Sequence, residues 1–125
     1  MSAGPSSDEY YDLLTRGQAP HDVPADEVVF QQGEHGDRMY IVRDGSVALK
    51  DGDRVVETVT APGLFGEMAL IESKARSLTA VAATDVVLVE IPVRYFWVLV
   101  HETPYFAQLV MSVMAQRLRR RGGTT

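Results

Sequence analysis

The sequence predicts a small, mainly β domain, built as a barrel or a double-sheet roll and followed by helices. Short runs rich in β-branched and aromatic residues alternate with turn residues up to Ile91. After Ile91 the apolar residues recur at helical spacing instead of strand spacing. A chain of 125 residues is long enough for one domain with a buried core.

The first 18 residues are interpreted as a tail and a short helix. Residues 1–7 are small and polar, which is typical of a disordered terminus. Residues 8–15 predict a helix with Ser6 or Ser7 as its cap, and residues 17–20 contain the glycine and proline that end it. The apolar face of this helix consists of Tyr10, Leu13 and Leu14.

Six strands are predicted within the β-roll region, residues 19–91. The dipeptides Asp44-Gly45 and Asp51-Gly52 are typical of hairpin turns. A segment of helical character follows Pro62-Gly63 and interrupts the strands, which is unusual for a plain barrel, so we expect a ligand there. The predicted strands cover residues 28–30, 39–43, 47–50, 55–60, 78–83 and 86–91.

Residues 92–121 predict two C-terminal helices, and residues 122–125 a tail. Pro92 suits the first turn of one helix, while Thr103 and Pro104 suit the cap and first position of the other. The last helix carries two apolar stripes, of which one can face the barrel and the other a partner helix or the ligand. The first stripe is Phe106, Val110 and Val113, and the second is Ala107, Met111, Met114 and Leu118.

The composition argues against several classes of protein. The formal net charge of −5 disfavours general nucleic-acid binding. The sequence contains no cysteine and no His-x-His pattern, which disfavours a disulfide framework, a metal site and a metal-dependent barrel enzyme. No nucleophile elbow stands out, so we expect no enzyme activity. The basic run at residues 117–121 is interpreted as a solvated helix end, with a docking or anion-contacting tail as the alternative.

The N-terminus lacks the basic and apolar regions of a secretory signal. No apolar run approaches the roughly 20 residues that span a bilayer. Both observations predict a cytoplasmic protein.

The segment 65–77 carries the most specific chemistry. Gly66 allows the backbone to come close to a ligand, and residues 68–70 can open a short helix. Glu67 can accept hydrogen bonds from sugar hydroxyls, and the planar donors of Arg76 suit two phosphate oxygens at once. A ligand with both a sugar diol and a phosphate fits this pair.

The same segment resembles the phosphate-binding cassette of the cyclic nucleotide-binding domain family. Gly66-Glu67, Ala69-Leu70 and Arg76-Ser77 match the family pattern in order and spacing. Residues 30–45 look like the family's first signature, which has a glycine pair, four apolar residues and another glycine. The weaker pattern runs from about Ala19 to Leu118.

The resemblance implies an eight-stranded, jelly-roll-like β-roll (a double-stranded β-helix) with a cassette helix and two C-terminal helices. It also implies a cyclic nucleotide ligand, cAMP or cGMP, with no further cofactor. The phosphate would bind the backbone of residues 66–69 and Arg76, and the ribose would bind Glu67. Met114, Leu118 or a residue near them would cap the base. For Ser77 a plain strand position is an equal alternative to ligand contact, and for Leu64 core packing is an equal alternative to lining the base pocket. The expected ligand-binding residues are Phe65, Gly66, Glu67, Met68, Ala69, Arg76, Ser77, Leu64, Met114 and Leu118.

The expected output is a ligand-dependent shift in the position of the last helix, which changes a homodimer or the contact with an unknown effector. Many bacterial regulators of this family have a helix-turn-helix domain after that helix, and we expect none in this chain. Leu78 stands where the family usually has a small residue. The alternative function is therefore an interaction or dimerisation module with the same fold and a non-functional pocket.

Overall fold

The computed structural model describes Tyr11, Leu14, Thr15 and residues 17–122, with side chains up to Arg120. Tyr11, Leu14 and Thr15 are helical. The rest of the helix expected at residues 8–15, its capping serines and the residues after Gly122 lie outside the described residues.

Within the described residues, eight strands form two antiparallel four-stranded sheets, which confirms the mainly β fold. The first sheet has the order β1-β8-β3-β6, and the second has the order β2-β7-β4-β5. Strands β1 and β6 were not predicted from the local pattern, because one is largely exposed and the other has three residues. The strands are β1 (Pro20–Val23), β2 (Val28–Phe30), β3 (Arg38–Asp44), β4 (Ser46–Asp51), β5 (Arg54–Thr60), β6 (Gly63–Phe65), β7 (Thr79–Ala82) and β8 (Val86–Pro92).

Three helices accompany the sheets among residues 17–122: α1 (Glu67–Glu72), α2 (Val93–Glu102) and α3 (Pro104–Gly122). Helix α3 begins at Pro104 as predicted, and the carbonyl of Thr103 accepts a hydrogen bond from the Phe106 N–H at 2.9 Å. Pro92 precedes α2 as its cap instead of lying in its first turn. None of the helices described is long and apolar enough to cross a bilayer.

The first sheet is the middle layer of three. Met39 and Ile41 on β3 belong to an apolar cluster shared with α2 and α3, which we call the helix-side cluster. Tyr40 and Val42 alternate with them and belong to a second cluster, which lies between the two sheets. This double burial explains why β3 is apolar at successive positions, since each face of the strand packs against a different layer.

The two stripes of α3 have different surroundings. Phe106 and Val110 of the first stripe are buried in the helix-side cluster, as predicted for the stripe that faces the barrel. The second stripe is divided, because Met114 packs partly against that cluster whereas Met111 and Leu118 are 62% and 56% exposed.

One of the two predicted hairpins is wrong. Asp51 pairs with Arg54 across the turn between β4 and β5, which confirms the second hairpin. The Asp44-Gly45 turn instead carries the chain from β3 in the first sheet to β4 in the second. Gly45 has a φ of 84°, and a side chain there would collide with the Asp85 carbonyl oxygen. The glycine thus serves a crossing between sheets.

Candidate functional site

The candidate site forms where β6 ends and α1 begins. Gly66 caps α1 with a φ of 86°, a conformation that favours glycine. A Cβ atom at Gly66 would lie 3.0 Å from Nη1 of Arg76. Leu70 on the same short helix is buried in the helix-side cluster and anchors α1 to the core. The backbone at this junction therefore approaches Arg76 closely, which requires the absence of a side chain.

Arg76 is a buried cation, 5% exposed. Its Nη1 donates to the Gly66 carbonyl oxygen at 2.8 Å and its Nη2 to the Arg38 carbonyl oxygen at 2.6 Å. Its Nε is buried with no hydrogen-bond partner among the described residues, and no described carboxylate forms an ion pair with it. Burial lowers the pKa of Arg76. The site thus holds a positive charge whose Nε–H has no partner among the described residues.

Glu67 supplies the opposite chemistry. Its side chain is buried at 1% exposure, and Oε1 accepts a hydrogen bond from Nη1 of Arg117 at 2.7 Å. Its second oxygen, Oε2, is buried without a hydrogen-bond partner in the described part of the chain. A hydroxyl donor that entered the site would satisfy it, which matters because an unmet buried acceptor costs about 1 to 3 kcal/mol.

Arg117 is a member of the site that sequence reasoning assigned to a solvated helix end, and for this residue that interpretation is wrong. The residue is 5% exposed, its Nε lies 2.9 Å from Oε1 of Glu57, and its Nη2 donates to the Leu64 carbonyl oxygen at 2.6 Å. Burial disfavours its charge, but Glu67 and Glu57 outweigh that effect and raise the pKa of Arg117.

A signal for Arg117 was present in the sequence. Phe106, Val110 and Val113 recur at steps of four and three residues, and Arg117 follows at a further step of four. The arginine therefore continues the core-facing stripe of α3 by one turn. Arg120, three residues later, remains exposed and lies 3.4 Å from Oε2 of Glu57.

The structure brings most of the expected binding residues to one pocket, which is partly open to solvent and has a volume of about 40 Å³. Ser77 is exposed at its edge, and Leu78 is half-buried in its wall. The residues that line the pocket are Phe30, Leu49, Gly66, Glu67, Met68, Ala69, Arg76, Ser77, Leu78 and Arg117.

Four expected residues lie elsewhere. The side chain of Leu64 belongs to the helix-side cluster, and Phe65 stacks on Tyr40 between the sheets with ring centroids 5.1 Å apart. Met114 packs against the helix-side cluster, and Leu118 is exposed. Arg117, which neighbours Leu118 on α3, lines the pocket on the side where we expected Met114, Leu118 or a residue near them.

Gly36, a glycine of the first signature, has a packing role in the structure. A Cβ atom there would lie 2.6 Å from Cβ of Ala69 and 3.0 Å from Nε of Arg76. Contacts of 2.6 Å between such atoms are not tolerated in a close-packed interior, so the first glycine signature supports the cassette directly.

Among the described residues, no three His, Cys, Asp or Glu side chains form a cluster that could hold a metal ion. The chemistry of the pocket is that of one buried cation with an open donor, one buried carboxylate with an open acceptor, and a backbone turn between them. Such a set suits a ligand that carries an anion and a hydroxyl on one compact frame.

Comparison with known proteins identifies relatives of this arrangement. The family model for the cyclic nucleotide-binding domain matches residues 20–103. The chain is 37% identical over 110 residues to a cyclic nucleotide-gated potassium channel of Rhizobium etli, with 88% of this chain and 30% of the channel covered. It is 31% identical over 112 residues to a CRP-like cAMP-activated global transcriptional regulator of Mycobacterium tuberculosis, with 86% of this chain and 50% of the regulator covered.

A solved structure has the same fold. The catabolite activator protein of Thermus thermophilus superimposes with a TM-score of 0.79 at 28% identity, covering 96% of this chain and 58% of that one. The chain thus covers 30%, 50% and 58% of the lengths of these three proteins. A similar fold is also present in the cAMP-bound form of the EAL enzyme Bd1971, with a TM-score of 0.63 at 31% identity, covering 81% of this chain and 28% of that one.

Replacing Arg117 with Met is expected to lower the free energy of unfolding by about 3 to 5 kcal/mol, because buried Glu67 would lose its counter-charge and Glu57 the closer of its two arginine partners. Arg119→Met on the exposed side of the same helix is the matched control and should change stability by less than about 0.5 kcal/mol. Urea unfolding measures both. Equal unfolding midpoints for the two variants would contradict the buried position of Arg117.

Proposed function

Because the chain belongs to the cyclic nucleotide-binding domain family, we propose that it is a non-catalytic sensory module that binds cAMP. One observation supports this proposal most directly. Nε of Arg76 and Oε2 of Glu67 are buried atoms of opposite chemistry, both lack partners among the described residues, and both residues line the same pocket. A cyclic nucleotide offers a phosphate for the first and a ribose hydroxyl for the second.

The phosphate is proposed to bind at Arg76 and at the backbone of residues 66–69. A hydrogen bond between ionised partners contributes about 1.5 to 3 kcal/mol, more than one between neutral groups. Arg76 is well suited to this role because its charge is already desolvated and its direct contacts are carbonyl oxygens and an aromatic ring, while Asp37 and Glu34 act on it only from a distance. An anion would supply the countercharge that the described residues do not.

The ribose is proposed to bind at Glu67. Arg117 already occupies one carboxylate oxygen, so the 2′-hydroxyl would donate to the other without breaking the ion pair. The carboxylate would then accept from both sides. This arrangement ties recognition of the sugar to a residue of helix α3.

The choice of cAMP rests on a relative, since the Mycobacterium regulator is named as cAMP-activated. Exposed Ser77 at the pocket edge can serve an adenine or a guanine ligand, so cGMP is the second candidate. An effector protein that receives the signal and a cytoplasmic location are also proposed, as expected from the sequence.

The output is proposed to be a movement of α3. The pocket is partly open to solvent, and its volume of about 40 Å³ is well below the roughly 300 Å³ at which small-molecule sites begin. We therefore expect a bound nucleotide to shift the wall of the pocket, which Arg117 links to α3. The ligand would favour one position of the helix over another by its differential affinity for the two.

Met111 and Leu118 are proposed to contact a second copy of the chain. They lie seven residues apart on α3, which places them on one side of the helix, and both are more than half exposed. A homodimer through this side would bury them. Any movement of α3 on binding would then reach the partner.

Thermal melting is expected to show a rise with saturating cAMP and none with AMP. A ligand at a hundredfold excess over its dissociation constant stabilises the folded state by about 2.7 kcal/mol, which is a shift of several degrees for a domain of this size. A rise with cGMP alone would change the base assignment. No rise with either cyclic nucleotide would favour an interaction module whose pocket is non-functional, with Leu78→Ala as the variant to test for restored binding.

Calorimetry with variants is expected to separate the contribution of the phosphate from that of the ribose hydroxyl. Arg76→Gln should weaken cAMP binding by about tenfold to a hundredfold, as expected for the loss of a charged hydrogen bond. Wild-type protein should prefer cAMP over 2′-deoxy-cAMP, and Glu67→Gln should reduce that preference. Arg119→Gln, outside the pocket, should match wild type. Full affinity in Arg76→Gln would remove the proposed phosphate site.

Light scattering is expected to detect a homodimer, at least in the presence of cAMP. Met111→Glu together with Leu118→Glu should yield a monomer, because each places a charge on the proposed contact side. Gln108→Glu, also exposed on α3, is the control for added charge. A strictly monomeric wild-type protein with and without nucleotide would overturn this interface.

A further inference from the structure

Arg76 has no carboxylate to hold it among the described residues, yet it is as buried as Arg117. Arg117 is fixed by ion pairs to Glu57 and Glu67. Two backbone carbonyls restrain the Nη atoms of Arg76, and both lie at the same end of the guanidinium. These hydrogen bonds and the covalent link through Nε are the restraints that the polar contacts supply, and a third restraint acts on the face of the group.

The ring of Phe30 supplies that restraint. Cζ of Arg76 lies 4.0 Å from the centroid of the ring, and Phe30 is the one ring over which a described cation is placed at this distance. A guanidinium at such a separation is attracted by the negative face of an aromatic ring. The attraction is strongest where water is excluded, and Phe30 is 8% exposed.

Phe30 is itself held in place. Its ring centroid lies 5.9 Å from that of Tyr40 and 5.9 Å from that of Phe65, in tilted arrangements. These two rings stack on each other. Phe30 also pairs with Ala80 in the ladder between β2 and β7, so its backbone is fixed by the second sheet. The ring is therefore a rigid platform for Arg76.

Gly36 limits the space around the guanidinium. A Cβ atom on this buried residue would lie 3.0 Å from both Cζ and Nε of Arg76, so the first signature leaves no room for a side chain beside the group. With the carbonyl oxygens at one end and Phe30 beneath, little freedom is left. The Nε edge is the one that keeps an open hydrogen-bonding position.

We propose that Phe30 is a positioning residue for Arg76, whose ring face fixes the plane of the guanidinium so that the Nε edge is presented to the phosphate of the ligand. The identity of the ligand in this statement rests on the proposed function, whereas the orientation of Arg76 does not. An arginine side chain is expensive to immobilise, and a group that is ordered before binding adds less to the cost of association. Phe30 would therefore raise affinity without touching the nucleotide.

A spectroscopic test addresses the orientation without any ligand. In protein labelled with ¹⁵N at arginine, the Nε–Hε signal that disappears in Arg76→Lys belongs to Arg76. A proton over a ring face is shifted upfield, so this signal should lie upfield of the other arginine signals and exchange slowly with water. Phe30→Leu should remove the upfield shift, and Phe30→Tyr should retain it. An unshifted signal in the wild-type protein would overturn the proposed contact.

The binding test is a double-mutant cycle between Phe30→Leu and Arg76→Gln, followed by calorimetry with cAMP. Phe30→Leu should weaken binding about tenfold, which corresponds to about 1.4 kcal/mol, when Arg76 is present. It should have little further effect when Arg76 is already Gln, because the ring then has no cation to hold. Phe30→Tyr should restore the affinity.

Val47→Ala is the control for damage to packing. Val47 is buried in the same cluster between the sheets as Phe30 but does not line the pocket. It should lower stability and leave the affinity and the Arg76 signal unchanged. Equal losses of affinity in Val47→Ala and Phe30→Leu would overturn the positioning role. If Phe30→Leu fails to fold, Phe30→Met takes its place in the cycle.

The outcomes separate this inference from the proposed function. Wild-type affinity in Phe30→Leu, beside weak binding in Arg76→Gln, would overturn the role of Phe30 and leave the phosphate site intact. A wild-type protein that binds no cyclic nucleotide would contradict the proposed function, and the arginine signal would still decide whether Phe30 orients Arg76.

Discussion

The site depends on one buried guanidinium, that of Arg117, at which four elements of the structure meet. It joins α3 to Glu57 on β5, to Glu67 at the start of α1 and to the Leu64 carbonyl on β6. A buried guanidinium, a buried carboxylate and a second carboxylate that is 12% exposed are costly to desolvate, and their attraction offsets that cost only when the geometry is complete. Arg117 therefore couples the position of α3 to the cassette and to the second sheet.

The two buried arginines of the pocket differ in how their charge is balanced. Arg117 is neutralised by carboxylates and has no capacity left for an anion. Arg76 is balanced by carbonyl dipoles and an aromatic face, which stabilise a cation without cancelling it. Arg117 thus stabilises the fold, whereas Arg76 keeps a positive charge that an anion can neutralise. The two arginines are equally buried, and they differ in that Arg117 has carboxylate partners whereas Arg76 has none among the described residues.

The sequence predicted those features that depend on neighbouring residues and missed those that depend on residues far apart in the chain. The cassette pairing of Gly66-Glu67 with Arg76 is a local pattern, and so is the start of α3 at Pro104. The apolar stripe of α3 indicates that Arg117 faces the core, but no local pattern identifies its partners, which lie 50 and 60 residues away. The Asp44-Gly45 dipeptide has the chemistry of a hairpin turn, but pairing is decided by which sheet the next strand joins. Short, exposed β1 lacks the alternation that would reveal a strand.

The chain contains a single tryptophan, and its place in the fold gives the molecule an internal optical reporter. Trp97 on α2 is 40% exposed and meets the ring of Phe96 edge-on at 4.9 Å. Phe96 in turn meets Phe106 of α3 at 5.6 Å. The indole is therefore connected to the last helix through one intervening ring. Its emission, which depends on the polarity and contacts of its surroundings, follows the packing of α2 against α3 without any introduced label.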